Sequence, residues 1–298
     1  MKKILICIFA LSALVSCGGD RDSIRNPWEP DPSDPPKNEV EEFFKDEIKP
    51  VQTSPCFAGA YYRKAVSSFD KWRGITGTVK LPSIAFDPHR VNPFKPAQYL
   101  DNPSIYLGGN ASGQETDIGL TWEVVKDEQG NVSADRKAFR PFLRRTGYPE
   151  TGQKPLYENA PAEAQYYWYP GDVVTITLKL VSDRVLRFTV EGEGKKYEKD
   201  FACDGYKFEY RMQFKRVNAI DQVANEGKPI QPTKTKVENA KWQNTYLFRL
   251  HNDKEVKAPM HTGRFTNMRC PDIKYFSIVA SEEEAKIGGE LITIDGGR

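Results

Sequence analysis

The 298-residue chain balances 43 Lys and Arg against 41 Asp and Glu, for a formal net charge of +2, with 39% hydrophobic, 28% charged and 12% aromatic residues. These proportions are those of a globular protein with enough apolar residues for a sizeable core. The near-neutral balance argues against nucleic acid as the main partner, because no basic excess is present to neutralise phosphates. His89, His251 and His261 are the only histidines and no Cys-x-x-Cys occurs, so no metal site is expected. No dinucleotide fingerprint, phosphate-cradling loop or Gly-x-Ser-x-Gly is found, so no cofactor and no serine nucleophile are expected.

In chain order, Met1-Lys2-Lys3 precedes an apolar stretch from Ile4 to Val15, and Ser16 then stands directly before Cys17. A cationic start, a short apolar run and a small residue read as a secretion signal, since a membrane span needs about 18 apolar residues. The Leu14-Val15-Ser16-Cys17 ending resembles the lipobox of bacterial lipoproteins. The resemblance implies a signal peptide over 1–16, cleavage before Cys17, and acyl chains such as palmitate on that cysteine. It places the protein in the bacterial envelope, at the outer membrane or cell surface rather than the inner membrane, with the membrane as partner.

Residues 17–55 read as a tether. Pro27, Pro30, Pro32, Pro35 and Pro36 lie among Asp and Gly, a composition that stays extended and buries little. A short helix is expected over 39–48, with Val40, Phe43, Phe44 and Ile48 near one face, stopped by Pro50. Cys7 leaves with the signal and Cys17 takes the lipid, so Cys56, Cys203 and Cys270 remain. In an oxidising setting one pair of the three can form a disulfide, and the pairing stays open. A Cys56–Cys270 bond would close the longest loop.

Residues 56–298 read as one all-β domain. Ile75, Gly77, Val79 and Leu81 alternate along 73–81, and strands follow over 104–107 and 115–125. The run 173–181 is the clearest strand, joined by a short turn to 184–191 as a hairpin, with 196–201 next. Tyr206, Phe208, Tyr210, Met212 and Phe214 alternate inward along 206–217, and 246–250, 273–279 and 291–294 complete the set. Many short strands without a sustained helical period point to an antiparallel sandwich or barrel. The polar, Pro- and Gly-bearing stretches 134–164 and 218–243 read as two long loops, which are often functional.

The most distinctive internal segment runs from Tyr106 through a Gly-rich turn to Trp122 and carries Glu115 and Asp117. Two residues apart on a strand, these carboxylates share a face, and such a pair can act as acid and base in glycoside cleavage. Together with Tyr166-Tyr-Trp-Tyr-Pro-Gly-Asp172 and the strand 173–178, this segment resembles secreted bacterial proteins of the concanavalin A-like lectin/glucanase superfamily. The resemblance implies a two-sheet antiparallel jelly-roll sandwich that binds carbohydrate on one sheet. The glucanases of that kind follow a Glu-x-Asp-x-x-Glu pattern, and here the third acid is replaced by Leu120. The order also resembles the glutamic peptidases, with their Gln and Glu dyad. Local alignment puts Tyr167 where the Glu stands in a Tyr-Glu-Trp-Tyr-Pro run, and Glu115 near the Gln, so both positions are changed.

Among the consecutive aromatics Tyr166, Tyr167, Trp168 and Tyr169, two rings on a strand face outward, where they suit sugar faces or cap the core. Trp122 and Trp242 are open to the same two readings, and Arg216, Asn218 and Asp221 read as residues leading from a strand into the second loop. The candidate ligand-binding residues are Gln114, Glu115, Asp117, Trp122, Tyr167, Trp168 and Arg216, and the catalytic candidates are Glu115 and Asp117. The expected function is a lipid-anchored, non-catalytic module that binds polysaccharide or another glycan. The alternatives are a jelly-roll hydrolase (glycosidase or atypical glutamic-type peptidase) using Glu115 and Asp117, and a structural envelope protein.

Overall fold

In β8 (Val173–Ser182), Val174, Ile176, Leu178 and Leu180 are buried while Thr175, Thr177 and Lys179 between them are half-buried, the period of two that the sequence shows. A computed structural model describes residues 47–50, 55–94, 98–123, 138–251, 253–260 and 263–298. The expected signal peptide, Cys17, most of the tether and nearly all of the helix at 39–48 lie outside the described residues. Among the described residues no helix is long and apolar enough to cross a membrane.

One sheet has seven strands: β1 (Ala60–Ser67), β4 (Asp101–Ala111), β5 (Gln114–Glu123), β6 (Ala138–Arg145), β7 (Leu156–Asn159), β11 (Gln213–Gln222) and β14 (Phe265–Cys270). Their order across the sheet is β14-β1-β11-β4-β5-β6-β7. The second has nine: β2 (Gly74–Lys80), β3 (Ser83–Ala85), β8, β9 (Val185–Gly192), β10 (Lys195–Ala202), β12 (Lys236–His251), β13 (Lys254–Pro259), β15 (Phe276–Val279) and β16 (Glu290–Asp295). Its order is β10-β9-β8-β2-β12-β16-β15, with β3 and β13 also on β12. The strand pairs are antiparallel throughout, and the protein is an all-β, two-sheet jelly-roll sandwich. Tight hairpins supply the turns: at Ser112-Gly113 and Glu193-Gly194 both residues have positive φ, as two-residue turns of the primed kind require.

The core lies between the sheets. Ile105, Leu107, Ile118, Leu120, Phe139 and Phe214 come from one sheet, and Ile75, Val79, Ile176, Phe188, Trp242 and Ile292 from the other. A buried ionic clamp crosses it. Glu290 of β16 accepts from Arg63 Nη2 of β1 at 3.0 Å and from Arg216 Nη2 of β11, and Arg216 Nη1 reaches Thr245 Oγ1 of β12 at 2.7 Å. Cys56 and Cys270 form the disulfide, while Cys203 is a buried free thiol. Glu47 ion-pairs with Arg264 at 2.9 Å, and Ile48 bridges to Phe69, so 47–50 lies against the sandwich.

Three sequence expectations are corrected. The stretch 134–164 is not one loop, since β6 and β7 lie within it. Phe139 and Leu143 face the core and Phe142 the other side, so β6 buries residues on both faces and lacks clean alternation. Pro141 is tolerated because its carbonyl accepts from Ala160, which puts its missing N–H on the side away from β5. The second loop shrinks to 223–235, because Arg216, Asn218 and Asp221 are part of β11 rather than beyond it. Conversely, 206–212 is turn rather than strand: Tyr206 bonds back to Cys203 and Tyr210 to Lys207.

Candidate functional site

The alternation that sends Ile105, Ile118 and Phe214 into the core sends their neighbours to the opposite face of the seven-stranded sheet. There Tyr62 and Lys64 of β1, Lys215 and Asp221 of β11, Ser104 and Tyr106 of β4, Glu115 and Asp117 of β5, and Phe142 and Arg144 of β6 line a cleft of about 600 Å³. Tyr157 of β7, Phe57, and Glu226 and Lys228 of the 223–235 loop form its rim. Ala60, Tyr62 and Tyr106 of the lining belong to a small apolar cluster that Val217, Ala219, Met268 and Cys270 complete. Tyr106 also meets Phe142 edge-on, with centroids 5.7 Å apart. Phe57 and Tyr157 are 48% and 65% exposed, which leaves two rings free to meet a ligand.

At the centre Lys215 bridges both catalytic candidates. Its Nζ lies 2.6 Å from Asp117 Oδ1 and ion-pairs with Glu115. The register explains the reach, since Gly108 of β4 pairs with Lys215 on one side and Asp117 on the other. A Cβ at Gly108 would sit 2.7 Å from Lys215 Cε and 2.8 Å from Asp117 Oδ1, so the bridge requires glycine there. Burial works against each charge, and the pairing overcomes it. Burial pushes the Glu115 carboxyl up, but the Lys215 ammonium, with Lys64 and Arg144, holds it below the ordinary carboxylate range. Burial pushes Lys215 down, but Asp117 and Glu115 hold it above the usual lysine range.

Asp221 is the opposite case. Burial lifts its carboxyl to about 6, against the hydrogen bond from Ser104 Oγ at 2.6 Å, with Asp117 and Glu226 adding to the rise and Arg144 opposing it. Burial and the nearby carboxylates push the Tyr106 hydroxyl well above its normal range, so it remains a proton donor. Lys64, half-buried beside them, is pushed down by burial and by the Lys215 charge, with Glu115 and Asp117 opposing. Among the described residues no group of three His, Cys, Asp or Glu could hold a metal ion.

Of the sequence-predicted site residues, Glu115 and Asp117 line the cleft and the other five do not. Gln114 is buried: its Nε2 donates to Thr146 O at 3.1 Å and Gln153 Oε1 at 2.7 Å, and its Oε1 accepts from Gly205 N–H at 2.8 Å. It ties turns together. Trp122 has the strand parity of Ile118 and Leu120, and so packs in the core edge-on to Phe139, centroids 5.1 Å apart. Tyr167 and Trp168 are also buried, because a bridge to Phe139 docks the segment on β6 and Trp168 Nε1 donates to Gly192 O at 3.1 Å. Arg216 shares the inward parity of Phe214 and belongs to the core clamp.

Sequence reasoning missed Tyr62, Lys64, Phe142, Arg144, Tyr157 and Lys215. The available signal was parity: once Phe214 faces the core, Lys215 must face the side that Glu115 and Asp117 share. No local pattern shows that β11 and β5 both flank β4.

The fold and cleft define a class: a jelly-roll sandwich whose seven-stranded sheet carries an open, aromatic-walled cleft with a lysine-bridged carboxylate pair. No family model matches the chain, and no curated protein matches its sequence. Solved structures similar to it include Scytalido-glutamic peptidase with a peptide-based transition-state analogue, at 12% identity over 79% of this chain and 98% of that one, TM-score 0.48. A glycoside hydrolase family 16 protein of the Bacteroides ovatus mixed-linkage glucan locus is similar at 13% identity over 70% and 89% of the two chains, TM-score 0.34. The alginate lyase from Klebsiella pneumoniae is similar at 11% identity over 52% and 54%, TM-score 0.35.

Proposed function

We propose that the protein binds a glycan strand in the cleft of its seven-stranded sheet without cleaving it, and does so at the bacterial surface, held by a lipid on Cys17. The observation that carries the binding reading is the Lys215 bridge. With Glu115 held below the ordinary carboxylate range and Asp117 on the same ammonium, the pair accepts hydrogen bonds from sugar hydroxyls. A general acid needs the reverse, a carboxyl held protonated near neutrality. The exposed Phe57 and Tyr157 rings at the cleft add apolar surface that fits sugar faces. The anchor rests on the Leu14-Val15-Ser16-Cys17 ending and the proline-rich stretch after it.

Calorimetric titration against a panel of soluble polysaccharides, followed by a reducing-end assay, tests the reading. Saturable binding to at least one glycan with no new reducing ends is expected. Absence of binding across the panel, or release of reducing ends, refutes it. The Cys17→Ser variant is expected to leave the membrane fraction and lose palmitate labelling, and retention of both rejects the anchor.

One observation favours a second reading, hydrolysis. Asp221, with its carboxyl lifted to about 6, lines the same cleft as Glu115, which is held below the ordinary carboxylate range. A protonated and an ionised carboxyl in one site are the pairing that glycoside cleavage uses. On that reading Asp221→Asn abolishes release of reducing ends while binding persists.

A further inference from the structure

We infer that the cleft is built for an acidic glycan, with a uronic-acid carboxylate of the ligand received by the Lys64 ammonium. The inference rests on the glycan-binding reading and specifies the ligand's chemistry. It follows from a count of partners. Glu115 and Asp117 are both taken by Lys215, and Glu226 by Arg144 at 2.9 Å. Asp221 accepts from Ser104, and Lys228 Nζ donates to Ala224 O at 3.2 Å. Among the described residues lining the cleft, Lys64 is the charged side chain whose head group has no ion pair or hydrogen bond.

Its position makes that costly. Lys64 pairs with Val217 on β11, and Lys215 is two residues along on the same face, so the two lysines are diagonal neighbours on adjacent strands. Burial and the Lys215 charge both disfavour the charged form of Lys64, and the already bridged Glu115 and Asp117 oppose them. A neutral sugar laid over Lys64 would exclude water and leave the ammonium without a counter-charge, a cost that rises with desolvation. A carboxylate supplies that charge and relieves the repulsion between the two lysines. A second acid group along the strand has a further landing point in Arg144. Its pair with Glu226 is exposed on both sides, 47% and 61%, and such a pair exchanges at little cost.

Titration calorimetry of the intact domain with oligogalacturonate, alginate oligosaccharide, neutral cello-oligosaccharide and poly-glutamate tests the inference, using wild type, Lys64→Met and Lys64→Arg at low and high salt. Since the Lys64 head group makes no ion pair or hydrogen bond and its charge is disfavoured by burial and by Lys215, Lys64→Met is expected to fold and to melt no lower than wild type, and Lys64→Arg to melt close to it. The wild type is expected to bind a uronate at least about tenfold tighter than the neutral oligosaccharide, with affinity falling as salt rises. Lys64→Met should erase that preference and Lys64→Arg keep most of it. Equal affinity for neutral and acidic oligosaccharides, or undiminished uronate binding by Lys64→Met, overturns the acidic assignment while the glycan reading stands. Binding of poly-glutamate alone, or of none of the four, overturns the glycan reading as well.

Discussion

Replacing Lys215 by Met keeps a linear side chain out to Cε and removes the ammonium that two carboxylates share. Lys215 is almost fully buried, and Asp117 is 16% and Glu115 41% exposed at the side chain. Removing one partner of a fully buried pair costs about 3–5 kcal/mol. Solvent screening at Glu115 lowers that figure, so about 2–3 kcal/mol is expected near neutrality. For a domain of this size the loss corresponds to a drop in Tm of roughly 4–12 °C.

The pH dependence is the sharper readout. Glu115 is held below its unfolded value, so its contribution is present above about pH 4.3 and lost as pH falls through the folded pKa. Lys215 is held above its unfolded value, so its contribution is complete below about pH 10.4 and lost as pH rises through the folded pKa. The gap between wild type and Lys215→Met should therefore be widest between about pH 5 and 10 and narrow toward pH 3. Urea unfolding followed by tryptophan fluorescence at pH 3.5, 7 and 9 measures it. A gap that is absent at pH 7, or unchanged between pH 7 and 3.5, refutes the bridge as the organising feature of the site.

Asp221→Asn retains an acceptor for Ser104 and removes a carboxyl lifted from 3.8 to about 6, a shift worth at most ~3 kcal/mol. A raised carboxyl makes the folded state bind the proton more tightly, so wild-type stability should fall as pH rises from about 4 to 6. Asp221→Asn should flatten that slope and be the more stable protein at pH 8, and urea midpoints across the range decide it. Glu290→Gln faces two buried guanidinium groups with a neutral amide and should cost about 3–5 kcal/mol in urea unfolding. A loss below about 1 kcal/mol removes the clamp's role in joining the sheets. The Cys56→Ser/Cys270→Ser pair opens a crosslink spanning 214 residues and should cost up to about 5 kcal/mol. In native wild type the Cys203 thiol, pushed far up by burial, should resist a thiol reagent until the protein unfolds.

Sandwich strands were legible wherever one face is core and the other solvent. The 173–191 hairpin shows alternating burial along both strands, and its turn and periodicity agree. β6 was not legible, because Phe139 and Leu143 serve the core while Phe142 serves the cleft, and Pro141 reads as a loop residue. The face shared by Glu115 and Asp117 follows from strand parity alone. Their counter-ion does not, since Lys215 lies 100 residues from Glu115 and meets it only through the β11-β4-β5 order. Trp122, Trp168 and Arg216 misled for one reason: flat rings and guanidinium groups suit ligands and cores equally, and only the register decides which.

The central claim, that the cleft on the seven-stranded sheet is the glycan site, is tested most directly by a residue-resolved NMR titration with a soluble oligosaccharide. Saturating shifts are expected at Tyr62, Lys64, Tyr106, Asp117 and Arg144, with the outer face of the nine-stranded sheet around Thr76 and Thr177 unmoved. Saturating shifts confined to Thr76, Thr177 and their neighbours, or none with any oligosaccharide tried, contradict the claim.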